Sequence, residues 1–266
     1  MSVSKLINIY NSVKLNLGIK RLLSKVFLGI NRFIEFFDHW VVLPLFKRFE
    51  QYLFKRIVDH YGADYKWNDQ QSQNLDKKES NLGYGYIHYA LIRNQSPKRI
   101  LCVGSMYGFI PFMMARACQD NRFGRVDFVD AGYDMEKSGD SRKHYFGQGF
   151  WKKIKPEKHF KYLLTGEYLN IYIMTAEKFA RKFKYKYDYI YLDGDHSYKG
   201  GSRDFKRFWP RLKKGGYLCL HDVDYTKLSQ GVKIEYWKLW KELSKRYGYK
   251  IKFSNGYSGL GIIQKL

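Results

Sequence analysis

The sequence predicts an α/β domain built on a doubly wound sheet and preceded by a helical appendage. Three observations carry that prediction. From Arg99 onward, short β-rich runs alternate with segments of helical spacing, the pattern of a mostly parallel sheet with helices on both faces. The first run leads into two glycines four residues apart, Gly104 and Gly108, before a helical segment. The first sixty residues have a different character, with apolar positions only at helical spacing.

In that early region Leu6, Ile9, Tyr10, Val13 and Leu17, then Leu22, Leu23, Val26, Phe27 and Ile30, recur at helical spacing. Residues 1–62 are therefore predicted to form two or three amphipathic helices, with a break at Pro44. Residues 63–83 are polar and form a linker or mobile loop. Residues 84–266 make the α/β domain. Its strands are RILCVG, RVDFVD, LNIYIM, YDYIYLD and GYLCLHD, then KIKFS and GLGIIQK. Only a turn around NGYS separates the last two, too short for a helix, so they form an antiparallel hairpin at the sheet edge.

Length and charge bound the function. The chain has 266 residues, 45% hydrophobic and 18% aromatic, enough apolar surface to exclude a disordered polycation. At about 150 residues per domain, this length suggests one full domain plus an appendage, or two small domains. With 48 Lys+Arg against 25 Asp+Glu, the formal charge is +23, which favours anionic partners: nucleic acid, anionic lipid head groups or acidic glycans. The three cysteines, Cys102, Cys118 and Cys219, have no disulfide or zinc spacing. The apolar stretch 26–46 is interrupted by Arg32, Glu35 and Asp38, costly at a bilayer centre. A cytoplasmic protein is expected, with peripheral contact to the inner membrane face through the N-terminal helices left open, as is a homodimer through the same helices.

Two features suggest a nucleotide-type ligand. Glycines at a strand-to-helix turn let the backbone approach a ligand at the helix N-terminus, although glycines at strand ends are also plain turns. The next strand ends in Asp130, 22 positions beyond Gly108, where an acid holds ribose hydroxyls in dinucleotide-type folds.

The most specific stretch is Asp193-Gly-Asp195-His196-Ser-Tyr198, followed by Leu212-Lys-Lys-Gly215-Gly216-Tyr-Leu-Cys-Leu-His221-Asp222. On these residues the chain resembles the class I S-adenosylmethionine-dependent methyltransferases over about residues 84 to 266. Within them it resembles the branch with DGDHSY and HD motifs, the macrocin- and mycinamicin-type sugar O-methyltransferases and the cephalosporin hydroxylase relatives. The resemblance implies a Rossmann-like seven-stranded sheet and methylation of a hydroxyl on a sugar, glycan or small metabolite; the basic charge adds that the acceptor is anionic or lipid-linked. It implies that Gly104, Ser105 and Gly108 surround the methionine part of S-adenosylmethionine, that Asp130 binds its ribose, and that Thr175, Ala176 and Glu177 lie near the adenine. Asp193, assigned both to the cofactor site and to catalysis, matches a divalent-metal ligand of the Mg²⁺-dependent members. Asp222 matches a second such ligand, with His221 beside it, and His196 matches the catalytic base.

The chain also departs from that pattern. Cys102 stands where most relatives carry an acid, Met106 replaces the middle glycine, and His221 stands where metal-dependent members often have Glu. An imidazole there weakens a Mg²⁺ site, because that ion prefers oxygen ligands. A histidine base suits neutral pH, and the neighbouring carboxylates can orient it or raise its basicity.

Plainer roles stand beside these. Asp195 can cap the turn after the fourth strand, and His221 can be a hydrogen-bonded core histidine. The tyrosines of Tyr84-Gly-Tyr86-Ile-His88 can pack rather than cover a cofactor. His144 and the aromatic stretch 145–151 form either a lid or a self-packed surface excursion, and the lysine-rich run 152–161 a solvated face. Two other functions remain in view: a nucleic-acid methyltransferase, disfavoured by DGDH where an Asn/Asp-Pro-Pro-aromatic motif is required, and a non-catalytic module docked on anionic lipid.

Overall fold

The computed structural model describes residues 82–132, 150–153, 155, 159–160, 168–225, 228–229, 232–254 and 257–266. The predicted N-terminal helices, nearly all of the linker, and His144 lie outside these residues. The described elements are α1 (Tyr84–Gln95), β1 (Ile100–Val103), α2 (Phe109–Asn121), β2 (Val126–Asp130), α3 (Phe150–Lys153), β3 (Leu169–Ile173) and α4 (Ala176–Lys182). They continue as β4 (Tyr187–Leu192), α5 (Tyr198–Phe208), β5 (Leu212–His221), the short ribbon β6 (Leu228–Ser229) and β7 (Val232–Lys233), α6 (Tyr236–Arg246), β8 (Lys250–Phe253) and β9 (Leu260–Gln264).

Seven strands form one sheet in the order β3-β2-β1-β4-β5-β9-β8. β1 to β5 are parallel, β9 is antiparallel to β5, and β8 is antiparallel to β9. The predicted α/β sheet and its C-terminal hairpin are both present. β5 begins earlier than its sequence pattern suggested, at Leu212 rather than near Gly216. The exposed Lys-Lys-Gly arm is held because the Gly215 N–H donates to the Lys265 carbonyl and the Lys265 N–H to that of Gly216, at 2.6 and 2.9 Å.

Alternation along the strands sorts side chains to two faces. Leu101, Val103, Val129, Ile190, Leu192, Leu218 and Leu220 pack with Phe179 of α4, Phe205 and Phe208 of α5, and Leu239 and Leu243 of α6. The opposite face carries Cys102, Phe128, Tyr189, Tyr191 and Cys219, all fully buried. α1 covers part of it: His88 Nδ1 lies 2.7 Å from the Tyr189 hydroxyl, and Cys219 Sγ lies 3.0 Å from that same oxygen. Burial holds the His88 imidazole down at about 3; of the two tyrosines in this segment, Tyr84 is buried and Tyr86 exposed. Cys102 and Cys219 are small core residues, their thiols pushed far up by burial.

Strand order reverses beside β1, with β2 on one side and β4 on the other. Side chains leaving the C-terminal ends of β1 and β4 therefore border a crevice. Gly104 has φ +76°, and a Cβ there would lie 2.1 Å from the Asp193 carbonyl oxygen. The first glycine is thus required by backbone-to-backbone approach of β1 to the turn after β4.

Candidate active site

Four acidic and imidazole side chains meet at the ends of β4 and β5. Asp193 follows β4 directly, His196 lies in the turn into α5, His221 is the last residue of β5, and Asp222 follows it. His196 Nδ1 is 2.8 Å from Asp222 Oδ2, and its Nε2 is 3.9 Å from Asp193 Oδ1. His221 Nδ1 lies between the two carboxylates, 3.2 Å from Asp193 Oδ1 and 3.3 Å from Asp222 Oδ1. Tyr191 donates its hydroxyl to Asp193 Oδ2 at 3.0 Å. His196, His221 and Asp222 are buried at 8%, 2% and 4% exposure, so these charges act on one another with little solvent screening.

Backbone geometry fixes the cluster. Asp222 has φ 56°, a left-handed conformation that Asp tolerates better than most residues and that often marks functional turns. The turn carrying His196 is tied down by Asp195, whose Oδ1 accepts from the Ser197 N–H at 3.1 Å and the Ser197 hydroxyl at 2.7 Å. Arg203 donates to its Oδ2 at 3.0 Å, and Ser197 caps α5 by accepting from the Gly200 N–H at 2.9 Å. Asp195 thus has the turn-capping role. From α6, the Glu235 N–H donates to the His196 carbonyl at 2.7 Å, and the Tyr236 ring lies 5.8 Å from the His196 ring.

Electrostatics follow from these contacts. Burial pulls the His196 imidazole down, while its hydrogen bond to Asp222 and the charges of Asp222 and Asp193 push it up, and the net direction is up. Burial likewise opposes the charge on His221, and its two carboxylates overcome it strongly. Burial raises the Asp222 carboxyl and the two imidazoles hold it far down, so it stays ionised.

The other residues assigned from sequence lie at or beyond the glycine turn. Asp130 ends β2 beside that turn: its Oδ2 accepts from the Ser105 N–H at 3.4 Å and its Oδ1 from the Gly132 N–H at 2.7 Å. Burial raises its carboxyl above the ordinary range. Gly108 has φ +83°, and a Cβ there would meet Phe160 at 2.8 Å and Trp151 at 2.9 Å. Trp151, His159 and Phe160 are buried, and Trp151 packs edge-on to Phe128 of β2 at 5.3 Å. This described part of the aromatic insertion is core packing beside the glycine turn. Within the run 152–161, the described lysines Lys153 and Lys155 are exposed, as a solvated face requires, and His159 and Phe160 are buried. Thr175 accepts from the Lys178 N–H at 3.2 Å as the cap of α4. Glu177 is exposed and lies 3.7 Å from Arg181, while Ala176 packs on the core.

Tyr191, Tyr236 and Glu235 were not singled out from the sequence. Tyr191 had a signal, since it stands two residues before Asp193 and so shares its strand face. Tyr236 and Glu235 had none, because only the packing of α6 brings them to His196.

Residues 101–223 match a protein-family model described as "Methyltransferase domain". The match runs from β1 through Asp222 and takes in every residue of the cluster. The chain is similar in fold to the SAH-bound Podospora anserina methyltransferase PaMTH1, with a TM-score of 0.52 and 15% identity over 84% of this chain and 96% of that one. It is similar also to an O-methyltransferase from Bacillus cereus in complex with SAH, with a TM-score of 0.50 and 13% identity over 80% of this chain and 90% of that one. A curated relative, "Uncharacterized protein y4gI" of Sinorhizobium fredii (strain NBRC 101917 / NGR234), is 21% identical over 174 residues, 64% of this chain. The chain spans only 18% of that protein's length. Among the described residues, no helix is long and apolar enough to cross a membrane.

Proposed function

We propose that this chain is an S-adenosylmethionine-dependent O-methyltransferase that methylates a hydroxyl of a sugar, glycan or related small metabolite, with His196 as general base. The observation that carries this reading is the His196–Asp222 pair, 2.8 Å apart and buried at the C-terminal ends of the central strands, where open α/β sheets bind ligands. The methyltransferase family match and the fold shared with SAH-bound methyltransferases support it.

The residues fit the cofactor. The glycine turn stands at the point of strand reversal, and Asp130 reaches it through the Ser105 N–H. This half-buried carboxylate is the kind of acceptor a pair of ribose hydroxyls requires, and Gly104, Ser105 and Gly108 would line the methionine end. When bound, S-adenosylmethionine supplies the electrophilic methyl group on its sulfonium.

The protein's part is positioning and proton removal. Asp222 accepts the Nδ1 proton of His196, which fixes the tautomer and leaves Nε2 with its lone pair. Nε2 would take the proton of an acceptor hydroxyl, and the imidazolium so formed would be stabilised by Asp222 and Asp193. Burial keeps water from competing for the methyl group.

The cluster does not fit Mg²⁺. Two of its four side chains are imidazoles, and that ion seeks an oxygen shell. No step is assigned to a divalent cation.

The basic charge supports an anionic acceptor over a neutral one. An open groove of about 640 Å³ is lined by Tyr198, Lys238, Lys241, Glu242, Lys245 and Arg246. Tyr198 is two residues from His196 and anchors to α6 through a 2.7 Å hydrogen bond to Glu242. A phosphate-bearing or lipid-linked glycan would meet four cations there.

Calorimetry with S-adenosylmethionine and S-adenosylhomocysteine tests the function directly. One equivalent of each should bind, and absence of binding by both would remove the proposal.

A further inference from the structure

A buried and a half-buried carboxylate that face each other repel unless something lies between them. Here all four oxygens face a ring nitrogen or a hydroxyl. Asp193 Oδ2 accepts from the Tyr191 hydroxyl at 3.0 Å, and Asp222 Oδ2 lies 2.8 Å from His196 Nδ1. The remaining two, Asp193 Oδ1 and Asp222 Oδ1, lie 3.2 and 3.3 Å from one atom, His221 Nδ1. That atom lies between the two carboxylates and is near both.

We propose that His221 takes the place of a divalent cation: its Nδ1–H bridges Asp193 and Asp222, holds the pair in register for His196, and makes the site independent of added metal. The proposal rests on the methyltransferase reading for its catalytic half only.

Three further facts support it. A cation bound to both Oδ1 atoms at about 2.1 Å would displace Nδ1 or convert it from donor to ligand, breaking both contacts. The ring cannot swing away freely, because His221 is 2% exposed. It is flanked by the Tyr84 and Tyr191 rings, with centroids at 6.2 and 6.3 Å. Its backbone is also fixed, since His221 pairs with Leu260 of β9 as the last rung of the β5 ladder. His221 is in this sense a positioning residue, acting through the two aspartates.

Asp193, His196 and Asp222 do bring donor atoms within 4.8 Å of one another, so binding must be measured with more than one ion. Full-length protein is stripped with EDTA and titrated by calorimetry with MgCl₂, MnCl₂ and ZnCl₂, and melting is followed with and without each ion. Wild type should show no equivalent of bound metal that depends on Asp222, and EDTA should leave its Tm unchanged. His221→Glu replaces the bridging donor by a third carboxylate, so it should gain one Mn²⁺ equivalent and melt several degrees higher in Mn²⁺ than in EDTA. His221→Gln keeps an N–H donor, folds more safely, and should stay metal-independent within tenfold of wild-type turnover. One equivalent of any of the three ions bound by wild type and lost in Asp222→Asn would overturn the proposal. S-adenosylhomocysteine binding is recorded on the same samples, so failure of the methyltransferase reading is seen separately from failure of the bridge.

Discussion

Three glycines with nearly the same backbone angle separate what the glycine turn needs from what any left-handed position needs. Gly104, Gly108 and Gly215 have φ +76°, +83° and +77°. A Cβ at Gly215 would meet nothing within 4 Å. Gly215→Ala should therefore show only the left-handed backbone penalty, about 1 kcal/mol. At Gly108 the Cβ would meet the ring edges of Phe160 and Trp151 at 2.8 and 2.9 Å. Those rings can tilt, and Gly108→Ala should cost about 2 kcal/mol. At Gly104 the Cβ would lie 2.1 Å from the Asp193 carbonyl oxygen and 2.9 Å from the Gly194 Cα. That is backbone, and it is pinned because the Asp193 N–H donates to the Val103 carbonyl at 2.8 Å. Reaching even 3.0 Å requires about 0.9 Å of movement between two adjacent parallel strands. Gly104→Ala should cost about 4 kcal/mol, the sum of the backbone penalty and an overpacking cost of about 3 kcal/mol. Because the displaced backbone carries Asp193, turnover should fall further than the loss of folded protein explains. Urea unfolding of the three variants, with cofactor-product affinity measured on the folded fraction, gives the order directly. Equal destabilisation of Gly104→Ala and Gly215→Ala would refute the close-approach account.

Two more perturbations follow from buried charge. If His196 is the base it must be neutral to act, and Asp222 and Asp193 raise its pKa against the pull of burial. Turnover should then rise with pH through a limb above the free-imidazole value of about 6.5. His196→Ala should remove most turnover and leave S-adenosylhomocysteine affinity nearly intact, and a kcat profile flat from pH 6 to 8 would count against the base. Burial lifts the Asp204 carboxyl to about 6 despite its Arg207 partner. A folded-state pKa above the unfolded one stabilises below about pH 4, and that stabilisation is lost as pH rises through 6. The gap corresponds to about 3 kcal/mol. Asp204→Asn should therefore flatten the fall in unfolding free energy between pH 5 and 7.5, and an unchanged fall would sink the assignment.

Much of this architecture was legible in the sequence because strand signals are local. Alternating or continuous apolar runs such as ILCV and YDYIYL report the strand faces directly, and NGYS left only a turn between the last two strands. The β5 arm escaped because Lys213 and Lys214 look like loop residues, and their pairing depends on Lys265 from the far end of the chain. The aromatic insertion was ambiguous for a related reason. Whether Trp151 and Phe160 form a lid or a core depends on Gly108 and Phe128, which lie more than twenty residues earlier.

The sequence by itself determined the α/β class, the place of the glycine turn and which acids and histidines stand at strand ends, since these depend on residue type and period. Only the tertiary structure decided what those groups do to one another. Asp193 and His196 are three residues apart, but Asp222 reaches them solely because β4 and β5 are neighbours in the sheet. The same pairing sets His221 Nδ1 between two carboxylates instead of in an apolar core. Interactions of charge fall with distance in space and not along the chain, so the chemistry of this site became visible only when the strands were laid side by side.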